Sequence, residues 1–356
     1  FCNMKRLILV ACLLVCGLIT KPQSYPKNYF SSPLDSSLLL TGTFGEIREN
    51  HFHSGIDIST GQQEGMQVKA TADGYVSRIK VSPDGYGNVL YVTHPNGYVT
   101  VYAHLKKFRD DLQAYTLEQQ NALKSFSVDL NIKKNQFKVN KGNVIALSGN
   151  SGSSLTPHLH FEIRDEKTEH PINPLLFGLP VTDHIKPVFR QVRIYPLMES
   201  GIVEKADTAR SYEMFQSDTL WGIPVNEYIK VWGICSIGID AFDQQEGTDA
   251  ELGIYSGELY VDNVKAFEWV NNRFDFDDTR YANAHADYLV RKRDGLKMER
   301  CFRMDGDKMM MLYPDTSLTG YIEFTGEESH DIKVVVRDFS GNTSQFIFQL
   351  QPYSPY

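Results

Sequence analysis

Residues 158–165 read HLHFEIRD. In an extended chain, residues i, i+2 and i+4 point to one side. His158, His160 and Glu162 therefore share a face, and Leu159, Phe161 and Ile163 share the opposite one. A helix, with its period of 3.6, would scatter both sets. Residues 50–58, NHFHSGIDI, repeat the arrangement. If extended, they put His53, Gly55 and Asp57 on one side and Ile56 and Ile58 on the other. Such a chain must build a sheet that buries one face and lines the other with imidazoles and carboxylates.

The rest of the chain has the same texture. Residues 65–83, GMQVKATADGYVSRIKVSP, alternate apolar and polar residues around an Asp-Gly turn. Residues 87–105 read as a hairpin, with two β-rich runs joined at Pro95-Asn96-Gly97. The stretch 139–154 ends a strand in a loop rich in glycine and serine. Residues 107–140 interrupt this pattern as an insertion, in which YTLEQQNALKSF predicts a short helix. Beyond HPINPLLFGLP, five strand-like runs between 189 and 351 predict a separately folded antiparallel β-sandwich. The piece YANAHADYLVRKRDG at 281–295 reads as helical. The expected division is 1–24, 25–182 and 183–356, all-β apart from the first segment and the helices.

The first segment has the form of an export signal. Lys5 and Arg6 precede LILVACLLVCGLI, 13 apolar residues, too few to cross a bilayer. Cys12 and Cys16 lie in poor contexts for a lipid anchor. A periplasmic or secreted location is expected. The mature chain would keep Cys235 and Cys301, free to pair or to stay buried as thiols. A net charge of −8 speaks against nucleic acid as a partner.

A lone histidine is ordinarily a hydrogen-bonded core or surface group, and His94, His170, His184, His285 and His330 are read so. The two alternating stretches differ, because their polar residues converge from two strands. Imidazole nitrogen and carboxylate oxygen suit a tetrahedral zinc site that keeps one position open. His53, Asp57 and one histidine of the second strand would fill it. The other histidine would be left to handle protons. Glu162 reads either as a partner that orients a histidine or as a solvated carboxylate.

HFHSGIDI, GYGNVLYVTHPNGYVTVYAHL and GNSGSSLTPHLHFEIRD resemble, in this order, the successive motifs of the lysostaphin-type zinc endopeptidases, also called LytM-like peptidases. The likeness spans residues 45–176. It implies an antiparallel LytM-like fold, the duplicated hybrid motif. It also implies zinc ligation by His53, Asp57 and His160, with His104 and His158 as catalytic groups and His51 as an accessory residue at most. The sequence departs from the family where Leu155 and Thr156 replace loop glycines, and in the long 107–140 segment. The implied function is an exported zinc metalloendopeptidase acting on peptidoglycan stem peptides, with the trailing sandwich positioning it against the wall or an envelope partner. The NHFHSGID opening resembles chains of Gram-negative bacteria of the Bacteroides group. Their walls carry D-alanine–diaminopimelate crosslinks, and Lys124, Lys133, Lys134 and Lys138 would then form a basic wall for the substrate carboxylate. Two other classes compete: a non-enzymatic cell-wall scaffold or amidase activator of the same fold, and a phosphocarrier with an active-site histidine pair. The export signal and Asp57 argue against the phosphocarrier.

Overall fold

The computed structural model describes residues 24–217, 220–224 and 228–353. The expected leader, with Cys12 and Cys16, lies outside them. The first part of the chain runs β1 (Leu40–Gly42), β2 (Ile56–Ser59), β3 (Gln67–Lys69), β4 (Gly74–Val81), β5 (Asn88–Thr93), β6 (Tyr98–Ala103), β7 (Lys107–Phe108), α1 (Asp110–Leu123), β8 (Val128–Asn131), β9 (Lys138–Val139), β10 (Val144–Leu147), β11 (His158–Asp165) and β12 (Pro171–Ile172). The main sheet has the order β1-β2-β11-β6-β5-β4-β8, and all its ladders are antiparallel. A small second sheet has the order β3-β10-β7.

Alternation in β2 and β11 does what the sequence requires. Ile56, Ile58, Leu159, Phe161 and Ile163 are fully buried in one apolar cluster with Val76, Ile79, Leu90 and Tyr102. Asp57 pairs with His160 across the β2–β11 ladder, so the two polar faces coincide. The 87–105 hairpin forms around residues 94–97. The segment at 107–140 is woven into the fold: β7 pairs with β10, while β8 and β9 pair with β4.

Strands from Val188 onward form a second, larger set of ladders. The strand Ile229–Phe242 runs through five of them. Its first residues run parallel to Thr343–Pro352, and residues 235–242 pair with Val188–Pro196. Gly233, at φ +69°, sits between the two, where a Cβ would lie 2.1 Å from the Ser200 carbonyl oxygen. The 281–295 piece holds two short helices, Ala282–His285 and Tyr288–Asp294. Cys235 and Cys301 are both buried as free thiols.

The C-terminal part does not stand apart from the first. Phe44, Ile47 and Phe52 leave the N-terminal core and bury themselves among Phe189, Trp269, Phe274 and Ile237. Phe44 stacks on Phe274 with ring centroids 5.1 Å apart. The segment leading into β2 is thus anchored in the core of the other part.

Candidate metal centre

His53 does not lie on β2, contrary to the simplest reading of the HSGID alternation. The strand begins at Ile56. His53 sits on the return arm of a small hairpin, closed by Gly45 N–H to His53 O and His53 N–H to Glu46 O, each 2.9 Å. Two forces lift this arm off the ladder. Phe52 is pulled into the C-terminal core. Gly55 presses on β11, where a Cβ would meet the Phe161 carbonyl oxygen at 2.4 Å. The hairpin still delivers His53 to the intended place.

His53 Nε2, His160 Nδ1 and Asp57 Oδ1 lie 3.0 Å from one another. Their side chains are almost wholly buried. The other nitrogen of each ring is committed. His53 Nδ1 lies 2.7 Å from the Thr43 carbonyl oxygen, and His160 Nε2 lies 2.8 Å from Glu162 Oε1. Both partners only accept, so those nitrogens carry the hydrogens. In the neutral tautomers, His53 Nε2 and His160 Nδ1 turn bare lone pairs toward each other and toward a carboxylate. Three lone pairs without a proton among them repel, and a cation removes the conflict.

Without an ion, a proton takes its place. Burial works against the charged form of His160, but Asp57 and Glu162 outweigh it and raise the ring to about 9. Burial also opposes ionisation of Asp57, yet the charge of His53 and the polar contacts with the three surrounding imidazoles hold its carboxyl well below the usual range. The site demands positive charge either way.

Glu162 is fully buried. Besides His160 it accepts from Ser54 Oγ at 2.7 Å, from Arg164 Nε at 2.5 Å and from the Tyr86 hydroxyl. Arg164 packs over Phe276 of the C-terminal part, 4.6 Å from its centroid. Of the two readings of Glu162, solvated or orienting, the geometry selects the orienting one. On the other side, Arg48 Nη2 donates to Asp57 Oδ2 at 2.9 Å. Gly42 leaves room for that pair, since a Cβ there would lie 2.5 Å from Arg48 Nη2 and 2.6 Å from Asp57 Oδ2.

His104 and His158 flank the three with ring centroids 4.8 Å apart. His104 Nδ1 lies 2.8 Å from the Ser151 carbonyl and His158 Nδ1 lies 2.8 Å from that of Thr156. His158 Nε2 is 3.4 Å from Asp57 Oδ1. Burial, aided by His160, pushes His104 down to about 4. It is therefore neutral at physiological pH. His51 is exposed and does not belong to the cluster of His53, Asp57 and His160.

All five expected residues thus meet in one place. Sequence reasoning missed Thr43, Arg48, Tyr86 and Arg164. Of these, Tyr86 lies in the GYGN stretch and Arg164 continues the alternation of β11, whereas nothing local marks Thr43 or Arg48. The expected lysine wall does not form there. Lys134 and Lys138 line a cleft with Asp73, His94 and Glu166, and with none of the site histidines. Their segment follows β8, four places from β11 in the sheet, or about 19 Å at ordinary strand spacing.

The sequence model of peptidase family M23 matches residues 51–123 and 117–174, the stretch that holds His53, Asp57, His104, His158 and His160. Residues 51–174 belong to peptidase family M23. The chain is 34% identical over 131 residues to the DD-carboxypeptidase/endopeptidase Mpg of Neisseria meningitidis, covering 37% of this chain and 24% of that protein. It is 28% identical over 176 residues to the peptidoglycan DD-endopeptidase ShyA of Vibrio cholerae, covering 46% of this chain and 34% of the relative. It is also 31% identical over 135 residues to the murein hydrolase activator NlpD of Escherichia coli, covering 38% and 28%. The chain spans about a quarter of the length of the first of these relatives. Among the described residues, no helix is long and apolar enough to cross a membrane.

Proposed function

We propose that this chain is a zinc metalloendopeptidase that cuts peptide crosslinks of peptidoglycan, at the bond between D-alanine and diaminopimelate. The observation that carries the reading is the meeting of His53 Nε2, His160 Nδ1 and Asp57 Oδ1 at 3.0 Å, with both rings' other nitrogens pinned as donors. Two imidazoles and a carboxylate suit zinc and leave a fourth position open. A bound zinc ion would supply a Lewis acid and an acidified water. The relatives named as DD-endopeptidases support the substrate class.

The chain's own residues carry the remaining steps. The Ser151 carbonyl takes the hydrogen at Nδ1 of His104, so the neutral ring keeps an unprotonated Nε2. Thr156 does the same for His158. Each is set to accept a proton from the attacking water and to return it to the leaving amine. Arg48 and Glu162 hold Asp57 and His160 in place. Export by residues 1–24, action in the periplasm and a C-terminal unit from about residue 183 complete the proposal.

The similarity to NlpD favours one alternative, a hydrolase activator without activity of its own. Digestion of diaminopimelate-type sacculi, followed by mass spectrometry of the muropeptides, separates the two. Conversion of crosslinked dimers to monomers by the chain alone supports the peptidase. Intact dimers, with release only when an amidase is added, would favour the activator.

A further inference from the structure

A second cluster of carboxylates, made of none of the five site residues, lies at the seam between the two parts of the chain. Asp183, in the segment joining the parts, meets Asp243 and Asp338 from two loops of the C-terminal part. One oxygen of each lies within 4.8 Å of the others. Asp243 is 3% exposed, and its Oδ1 is buried with no hydrogen-bond partner among the described residues. A buried carboxylate oxygen without a donor is costly. It is costlier still beside two more carboxylates, whose charges repel it.

The neighbouring groups position the cluster without neutralising it. Asp338 Oδ1 accepts from the backbone N–H groups of Gly341 and Asn342, and Oδ2 from Asn342 Nδ2. Asp183 Oδ1 accepts from the Ile185 N–H. Asn342 Nδ2 also donates to the Asp183 backbone carbonyl, tying the two ligands together. Asp183 and Asp243 border a cavity of about 20 Å³, room for one particle the size of a water molecule.

We propose that Asp183, Asp243 and Asp338 form a binding site for a hard divalent cation of the calcium class. All the side-chain donors are carboxylate oxygens, which calcium prefers, with none of the nitrogen or sulfur that would favour zinc. Magnesium is less suited, because it keeps a rigid shell of waters that a 20 Å³ cavity does not hold.

The position gives the ion a structural task. Gln245, two residues beyond Asp243, donates from Nε2 to the carbonyls of Leu38 and Thr182 and accepts the Leu40 N–H. Thr43 borders the same cavity. Its hydroxyl exchanges hydrogen bonds with Gly253, and its carbonyl holds His53. Calcium would fasten the connecting segment to the C-terminal loops beside the strand that leads to the histidine centre. The inference stands apart from the peptidase reading, since it involves none of the five site residues.

The test is a calorimetric titration of the full chain, loaded with zinc and stripped of loosely held metal, with calcium chloride. Thermal unfolding is recorded in parallel. About one calcium ion per chain should bind, with a dissociation constant no weaker than about 10⁻³ M, and the melting temperature should rise. Asp243→Asn and Asp183→Asn should each weaken binding at least tenfold. Asp183 is only partly buried, so its variant remains informative where the Asp243 variant fails to fold. Absence of binding heat and of a thermal shift at 10-fold excess over about 10⁻³ M calcium would overturn the proposal. So would unchanged affinity in Asp183→Asn, or equal affinity for magnesium chloride.

Discussion

His53 Nε2 and His160 Nδ1 face each other at 3.0 Å, each with its second nitrogen already given away. This opposition needs two outer partners, Thr43 and Glu162, brought from different segments. Neither ring could hold its tautomer without them.

Glu162→Ala should therefore act on the metal and on the fold together. Loss of an orienting carboxylate weakens metal affinity roughly 10- to 100-fold. Arg164, nearly buried, would lose its ion-pair partner, a change that costs about 3–5 kcal/mol. Chelator competition should record the first effect and chemical denaturation the second. Glu162→Gln keeps an acceptor for His160 and should lose less metal affinity than Glu162→Ala.

His104→Ala and His158→Ala should retain the metal, because neither ring belongs to the three-atom cluster. Turnover should fall roughly 100- to 10,000-fold, the usual contribution of a positioned acid–base group. Steady-state rates on a crosslinked muropeptide dimer check this, with zinc content measured on the same samples.

Residues 25–182 alone should not behave as a free-standing enzyme. Without the C-terminal part, Phe44, Ile47 and Phe52 lose their core, Thr43 loses Gly253 and Arg164 loses Phe276. The truncated chain is expected to aggregate or to bind zinc at least tenfold more weakly. Full solubility with wild-type zinc affinity would show that this packing is dispensable.

His94 gives the fold a dependence on pH. Burial outweighs its bond to the Asp73 carbonyl and pushes the ring down to about 4. The unfolded chain, with an ordinary value near 6.5, then binds more protons between pH 6.5 and 4. The contribution is fully present above about pH 6.5 and is lost as pH falls toward 4, amounting to about 3 kcal/mol. Urea denaturation of wild type and His94→Gln across this range should show a flatter profile for the variant.

The sequence made some of this legible and hid the rest for physical reasons. Alternation in 158–163 predicts both the buried face and the polar face of β11, because strand period is a local property. The same rule misplaced His53 by treating 53–57 as one strand. Phe52 is an apolar side chain, and nothing in the sequence states which core it enters. Arg48 and Thr43 reach the site through folding of the hairpin, not through any motif. A basic wall from the lysines of 124–138 follows only from the charge of a diaminopimelate carboxylate, and charge does not say where a segment folds. Sheet order carries their segment to the far side of β4. Glu162 was undecided from sequence, since a carboxylate on a polar face looks the same whether water or Arg164 covers it.

The most direct test of the account is zinc stoichiometry by elemental analysis of the purified wild type beside Asp57→Ala and His160→Ala. Wild type should hold close to one zinc ion per chain, and each variant, checked for its fold by circular dichroism, should hold little or none. Full zinc retention in both folded variants would contradict the claim that His53, Asp57 and His160 form the metal centre.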